Sequence, residues 1–80
     1  MARLDKQSRY LSAKLAEECA ELAAAATKLL ARPTRKRIER MKSEAADVIG
    51  LLRVLKYLDD PYIHGASLDR TRRERARMPR

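Results

Sequence analysis

A glutamate standing in a column of leucines constrains this chain most. At about 100° per residue, a helix over the first third of the sequence places Glu18 in the middle of an apolar column. The other members of that column are Leu11, Leu15, Leu22 and Leu29. Glu21 follows one turn later, with its Cβ roughly 5–6 Å from that of Glu18. Acids therefore stand where the helix should bury apolar surface.

The second helical segment repeats this pattern. Glu44 and Asp47 continue an apolar column formed by Leu51, Val54, Leu55 and Leu58. Between the two segments, Pro33 disfavours helical geometry in the residue before it, and Thr34 can cap the next helix. Glu21 precedes Thr34 by 13 residues and Glu44 follows it by 10, so both motifs stand at similar heights above the turn. An antiparallel hairpin would bring the four acids together.

Carboxylates gathered in a partly dry place need a proton, a basic partner or a cation. The two motifs contain no histidine, and the single cysteine, Cys19, is expected to be a core residue. An all-oxygen set suits hard cations, Mg²⁺ first and Mn²⁺ second. The alternative is that these acids are ordinary surface helix residues paired with nearby basic side chains.

The two motifs carry a family resemblance. Glu17-Glu18-Cys19-Ala20-Glu21 and Glu44-Ala45-Ala46-Asp47-Val48-Ile49 resemble the EExxE and ExxD signature of the MazG-like all-α nucleoside triphosphate pyrophosphohydrolases. Phosphoribosyl-ATP pyrophosphohydrolases and dimeric dUTPases are related to that family. The resemblance runs from about residue 14 to 58; beyond it the chain is short and arginine-rich, which departs from the family and leaves substrate preference open.

The resemblance implies Mg²⁺-dependent cleavage of a (d)NTP between its α and β phosphates, which gives a monophosphate and pyrophosphate. It implies metal binding by Glu18, Glu21, Glu44 and Asp47, and a catalytic role for Glu17 and Glu18. Lys14, Arg53 and Lys56 are candidate contacts of the substrate phosphates, although an ion pair with Glu18 is the simpler role for Lys14.

Composition favours a small all-α protein that associates with itself. A chain of 80 residues buries only about 60% of its unfolded surface, and this one has no Trp or Phe and three Tyr. We expect a single domain over residues 1–80, an antiparallel helical hairpin with a short C-terminal helix or tail. A dimer or tetramer would complete a four-helix-type bundle.

The expected helices cover residues 4–31, 34–58 and 67–77. The first has an alternative start at Ser12, and Asp59-Asp60-Pro61 is expected to end the second. Tyr62, Ile63 and His64 are expected in a loop, with Ser67 capping the third helix or tail. The arginines of that segment point in all directions, which argues against a dedicated binding face and favours ordering on a partner subunit or a polyphosphate.

A formal net charge of +8 favours polyanionic partners, both nucleotides and nucleic acids. A small basic helical nucleic-acid-binding protein is therefore the alternative function, and an inactive MazG-like interaction module is another. No segment approaches the roughly 20 apolar residues of a membrane span. We expect a cytoplasmic protein with no membrane partner, and its single cysteine excludes an intramolecular disulfide.

Overall fold

The computed structural model describes residues 3–79 and is all-helical over that range. Its elements are α1 (Lys6–Ala31), α2 (Arg35–Val54), a 3₁₀ turn (Tyr57–Asp59) and α3 (Pro61–Arg77). The all-α expectation is confirmed, and no strand occurs between residues 3 and 79. Residues 1, 2 and 80, the ends of the expected single domain, lie outside the described range.

Helix α1 is one unbroken element of 26 residues. It begins after Asp5, whose Oδ1 accepts a hydrogen bond of 2.7 Å from the backbone N–H of Ser8. This cap satisfies a donor that the first helical turn would otherwise leave unpaired. The alternative start at Ser12 is therefore not used, and the helix begins two residues later than expected.

The hairpin turn is closed by caps on both sides. Thr34 Oγ1 accepts a hydrogen bond of 3.1 Å from the N–H of Arg37, as expected for the start of α2. The Arg37 guanidinium donates to the carbonyl oxygens of Lys28 at 2.8 Å and Arg32 at 3.2 Å. One basic side chain of the second helix thus caps the end of the first, and a three-residue connection makes α1 and α2 antiparallel neighbours.

The hairpin encloses very little core. Ala25 is the only buried apolar residue in the described part of the chain, and the four leucines of the α1 column are half-buried. The expectation that Cys19 is a core residue is wrong, because its side chain is exposed. The accessible surface is 7315 Å², against about 4,900 Å² for a compact chain of this mass. The radius of gyration is 15.1 Å, against about 12 Å for a compact domain of this length.

Helix α2 ends at Val54, four residues earlier than expected. Lys56 adopts a left-handed conformation with φ 63°, and this reverses the chain into the 3₁₀ turn. Because a non-glycine residue makes the reversal, the sequence carries no glycine signal for it.

The expectation of a loop after Asp60 is wrong. Asp60 Oδ1 accepts a hydrogen bond of 3.0 Å from the N–H of Ile63, and Pro61 occupies the first helical position. Asp60 and Pro61, which are expected from the sequence to end the second helix, therefore begin α3, since proline is well tolerated in the first turn of a helix. Tyr62, Ile63 and His64 belong to this helix, and Ser67 lies inside it.

Helix α3 meets the rest of the molecule at one end only. Its Cα atoms approach the 3₁₀ turn, and within the described range none comes within 8 Å of a Cα in α1 or α2. Between residues 3 and 79, no helix is both long enough and apolar enough to cross a bilayer.

Substituting Lys56→Gly should raise the free energy of unfolding by about 0.5–1 kcal/mol, because glycine adopts the left-handed conformation without a Cβ clash. Thermal melts followed by circular dichroism at one protein concentration would measure it. Lys42→Gly, inside α2, is the matched control and should lower stability by about 1 kcal/mol. A loss in Lys56→Gly as large as that control would contradict the prediction.

Candidate metal centre

Three carboxylates from the two arms of the hairpin meet at its middle. One oxygen each from Glu18 on α1 and from Glu44 and Asp47 on α2 lie within 4.8 Å of one another. The similar heights of the two motifs above Thr34 predict this meeting, and the antiparallel hairpin produces it. The cluster therefore arises from two helices rather than from neighbours in sequence.

The three carboxylate residues of the cluster differ in their exposure to solvent. Glu44 is 4% exposed and is the only buried charged residue in the described part of the chain. Glu18 is half-buried and Asp47 is exposed. The cluster thus has a dry side at Glu44 and an open side at Asp47, through which a ligand can enter.

Glu44 is held by a basic side chain from its own helix. Arg40 Nη2 lies 2.8 Å from Glu44 Oε1, an i,i+4 pair. The i,i+4 spacing of the two residues is the sequence signal for this contact. This ion pair compensates the charge on Oε1, one of the two oxygens of the buried Glu44 carboxylate.

Two other oxygens have no partner. Glu18 Oε2 and Glu44 Oε2 are both shielded from solvent and accept no hydrogen bond. Unpaired buried acceptors are uncommon in proteins and are a recognised mark of an ion or catalytic site. Both oxygens belong to residues of the three-carboxylate cluster.

The environment favours protonated carboxyls when no cation is near. Burial raises the pKa of Glu18, and the charges of Glu21 and Asp47 raise it further. Burial also raises the pKa of Glu44, the neighbouring Glu21 carboxyl raises it further, and the charge of Arg40 opposes the rise. These are the causes that a bound cation would reverse, because it stabilises the ionised form.

Glu21 is the fourth acid, and it stands beside the cluster. It influences the pKa of both Glu18 and Glu44. Its side chain also lines a small cavity of about 220 Å³ together with Lys28 and Arg40. Glu21 is therefore a neighbour of the cluster and not one of its three members.

The donor set fits a hard divalent cation. All donors are carboxylate oxygens, which Mg²⁺ prefers, and no thiol or imidazole takes part. With the usual Mg²⁺–oxygen bond of about 2.1 Å, adjacent oxygens of an octahedral site are about 3.0 Å apart and opposite ones about 4.2 Å. The three oxygens, which lie within 4.8 Å of one another, would therefore have to draw closer around an ion. The two unpartnered oxygens supply free acceptors for it.

A groove of about 500 Å³ opens beside the cluster. Glu18 and Asp47 line it with Lys14, Gly50, Ala46, Leu51 and Val54. Nothing lies within 4 Å of where a Gly50 Cβ would stand, so the missing side chain leaves room in this groove. The small residues of α2 beside Asp47 were not singled out by sequence reasoning.

The candidate phosphate contacts are spread out. Lys14 lines the groove, but its Nζ pairs with Glu17 Oε2 at 3.5 Å, so the expected ion pair with Glu18 is wrong. Glu17 points away from the cluster, with a side chain 63% exposed. Arg53 and Lys56 are exposed near the end of α2 and do not line the groove.

Comparison of the chain with protein-family models, with characterised proteins and with solved structures finds no match.

The raised pKa of Glu18 predicts a pH-dependent stability. The folded protein binds this proton more tightly than the unfolded chain, so the favourable contribution is complete below the ordinary value of 4.5 and disappears as pH rises through the higher folded value. Without divalent ions, thermal melts should therefore show higher stability near about pH 5 than near about pH 7.5. Asp5, whose pKa is lowered, contributes its full stabilisation above 3.8 and does not mask this trend.

Glu18→Gln should flatten this pH profile and raise the melting temperature at neutral pH, because an uncharged amide replaces the ionised carboxyl. Glu39→Gln is the matched control, since Glu39 is an exposed acid on α2 with no ion pair within the described range. Equal profiles for Glu18→Gln and the unsubstituted protein would contradict the assignment.

Proposed function

We propose that this protein is a Mg²⁺-dependent nucleoside triphosphate pyrophosphohydrolase that cleaves (d)NTPs between the α and β phosphates. The observation that carries the proposal is the cluster of Glu18, Glu44 and Asp47, with its two unpartnered, solvent-shielded oxygens. The resemblance of the two acidic motifs to the MazG-like enzymes supplies the reaction class. Mn²⁺ is the second candidate ion, because it accepts the same oxygen donors.

Each acid has a distinct place in this proposal. Glu18, Glu44 and Asp47 would hold the ion, and Glu21 would join them from the adjoining turn. Bound Mg²⁺ supplies positive charge for the phosphate oxygens and lowers the pKa of bound water. Arg40 keeps the Glu44 carboxylate oriented through its bond of 2.8 Å.

The remaining residues act on substrate and water. Lys14 lines the same groove as Glu18 and Asp47, so its ammonium can contact a phosphate there. Glu17 pairs with Lys14 beside the groove, and its exposed carboxylate would have to turn toward the cluster to accept a proton from water there. Arg53 and Lys56 lie further out and would reach only the distal phosphates.

A homo-oligomer is part of the proposal. A second, apolar groove of about 490 Å³ continues from the first, sharing Val54 and adding Tyr10 and Leu11. Tyr10 is 62% exposed, Val54 62% and Ile49 44%. Exposed apolar surface of this extent beside a polar site favours a second hairpin that covers it and completes a four-helix bundle.

Incubation with each common (d)NTP and Mg²⁺ should release pyrophosphate. Glu18→Gln and Asp47→Asn should each reduce the rate on the order of 100-fold, because each removes a negative ligand of the ion. Glu39→Gln should retain the rate, since this exposed acid is on α2 outside the cluster.

Metal binding gives a readout independent of turnover. Mg²⁺ at one hundred times its dissociation constant should stabilise the fold by about 2.7 kcal/mol, and this gain should vanish in Glu18→Gln and Asp47→Asn. Metal-dependent stabilisation without pyrophosphate from any nucleotide would identify an inactive binding module. Absence of both effects would overturn the proposal.

Light scattering after size exclusion should give a mass two or four times 9.2 kDa. Val54→Glu should lower that mass, because it places a charge where the two grooves meet. Leu30→Glu is the control: Leu30 is 85% exposed at the other end of the hairpin and should leave the mass unchanged. A single mass of 9.2 kDa at every concentration tested would exclude self-association.

A further inference from the structure

Helix α3 has no face buried in the protein. Of its 17 residues, all are exposed except Ile63 and Glu74, which are half-buried. Its Cα atoms come near the 3₁₀ turn alone among the described elements. Nothing in its packing against the hairpin explains why this segment is helical.

Local interactions account for the helix instead. Asp60 caps its first turn, Pro61 starts it, and Arg75 and Arg77 lie in its last turn, where cations suit the helix dipole. Arg70 Nε lies 2.8 Å from Glu74 Oε1, an i,i+4 pair. Such a helix is marginal alone in water, so a partner that binds it along its length would stabilise it.

The charges of α3 identify the partner's chemistry. The helix carries five arginines and two acids. Arg73 and Arg75 have no carboxylate within 4.0 Å in the described range. The other three pair only with acids of the same helix, at exposed positions where ion pairs contribute little and are easily exchanged for phosphate.

The arginines form two flanks. Arg70, Arg73 and Arg77 follow an i, i+3, i+7 spacing and share one side of the helix, while Arg72 and Arg75 share the nearly opposite side. A flat anionic surface could engage only one flank at a time. A groove with phosphates on both walls engages both.

Duplex DNA offers such a groove. Its major groove is about 12 Å wide, and a helix with its side chains is about 10–12 Å across. The stretch from Arg70 to Arg77 covers about 10 Å of helix axis, or about two turns, so both flanks present their arginines along the same short length of helix.

We propose that α3 is a DNA-binding helix that lies in the major groove of duplex DNA, with its two arginine flanks on the phosphates of the opposite walls. The contacts are to the backbone, so binding is independent of base sequence. This replaces the expectation that the spread of arginines argues against a binding surface. The proposal does not rest on the pyrophosphohydrolase activity, because α3 carries no residue of the acidic cluster.

The test uses the full chain and a fluorescent 20-base-pair DNA duplex, with binding followed by anisotropy over a range of salt concentrations. Affinity should fall steeply with salt. The triple variant R70Q/R73Q/R77Q should bind at least about tenfold more weakly and show a salt slope smaller by about 2–3. R70K/R73K/R77K keeps the charges and should retain most of the affinity, which separates lost contacts from a lost fold.

The matched control is R32Q/R35Q/K36Q, which removes the same charge from exposed residues at the hairpin turn. It should lose no more than about threefold, and an RNA duplex of the same sequence should bind more weakly than DNA, because its major groove does not admit a helix. Equal losses in both triple variants would overturn the proposal. So would equal binding of the RNA duplex, or binding to anionic phospholipid vesicles with none to DNA.

Discussion

The salt bridge between Arg40 and Glu44 lies where a two-helix hairpin would ordinarily bury its largest apolar side chains. Glu44 is 4% exposed, whereas Arg40 remains 68% exposed in its side chain, so the compensating charge reaches inward from the solvent side. Only one Glu44 oxygen is satisfied this way. The other accepts no hydrogen bond, and its residue forms a cluster with Glu18 and Asp47 in which a proton or a cation would relieve the like-charge repulsion.

That arrangement limits the core. Carboxylates occupy the middle of the α1–α2 interface, and the only buried apolar residue of the described range is Ala25. The stability of the fold then relies more heavily on local interactions at the helix N-termini. These are the side-chain caps from Asp5, Thr34 and Asp60, each typically worth about 1 kcal/mol. A site placed in the interior thus leaves the single chain with an extended shape and an open apolar groove, and both features favour the self-association proposed above.

Periodicity and turn chemistry predict the parts of this fold that local rules control. Turn chemistry predicts the turn at Pro33 and the helix cap at Thr34. The spacing of the two acidic motifs predicts that they face each other across the hairpin. The end of α2 cannot be predicted in this way, because Lys56 adopts the left-handed conformation that glycine usually adopts at a helix end. From the sequence, Asp60 and Pro61 are expected to end the second helix, whereas in the structure they begin the third. Lys14 pairs with Glu17 rather than Glu18, a choice that spacing does not decide, because residues three and four positions along a helix are both within reach.

The charge distribution divides the molecule into a basic region that attracts anions and an acidic region that attracts cations. The chain as a whole is strongly basic, so anions are attracted from solution, yet the hairpin centre is acidic and repels a bare polyphosphate. Under the proposed function, an anion would reach this centre together with a cation, which would favour metal-bound nucleotides over free ones. Within the described range no Cα of α3 comes within 8 Å of a Cα in α1 or α2, and α3 contributes no residue to the acidic cluster. The two proposals therefore place opposite charges on separate elements, so that α3 would hold a bare phosphate backbone while the hairpin centre would bind a cation.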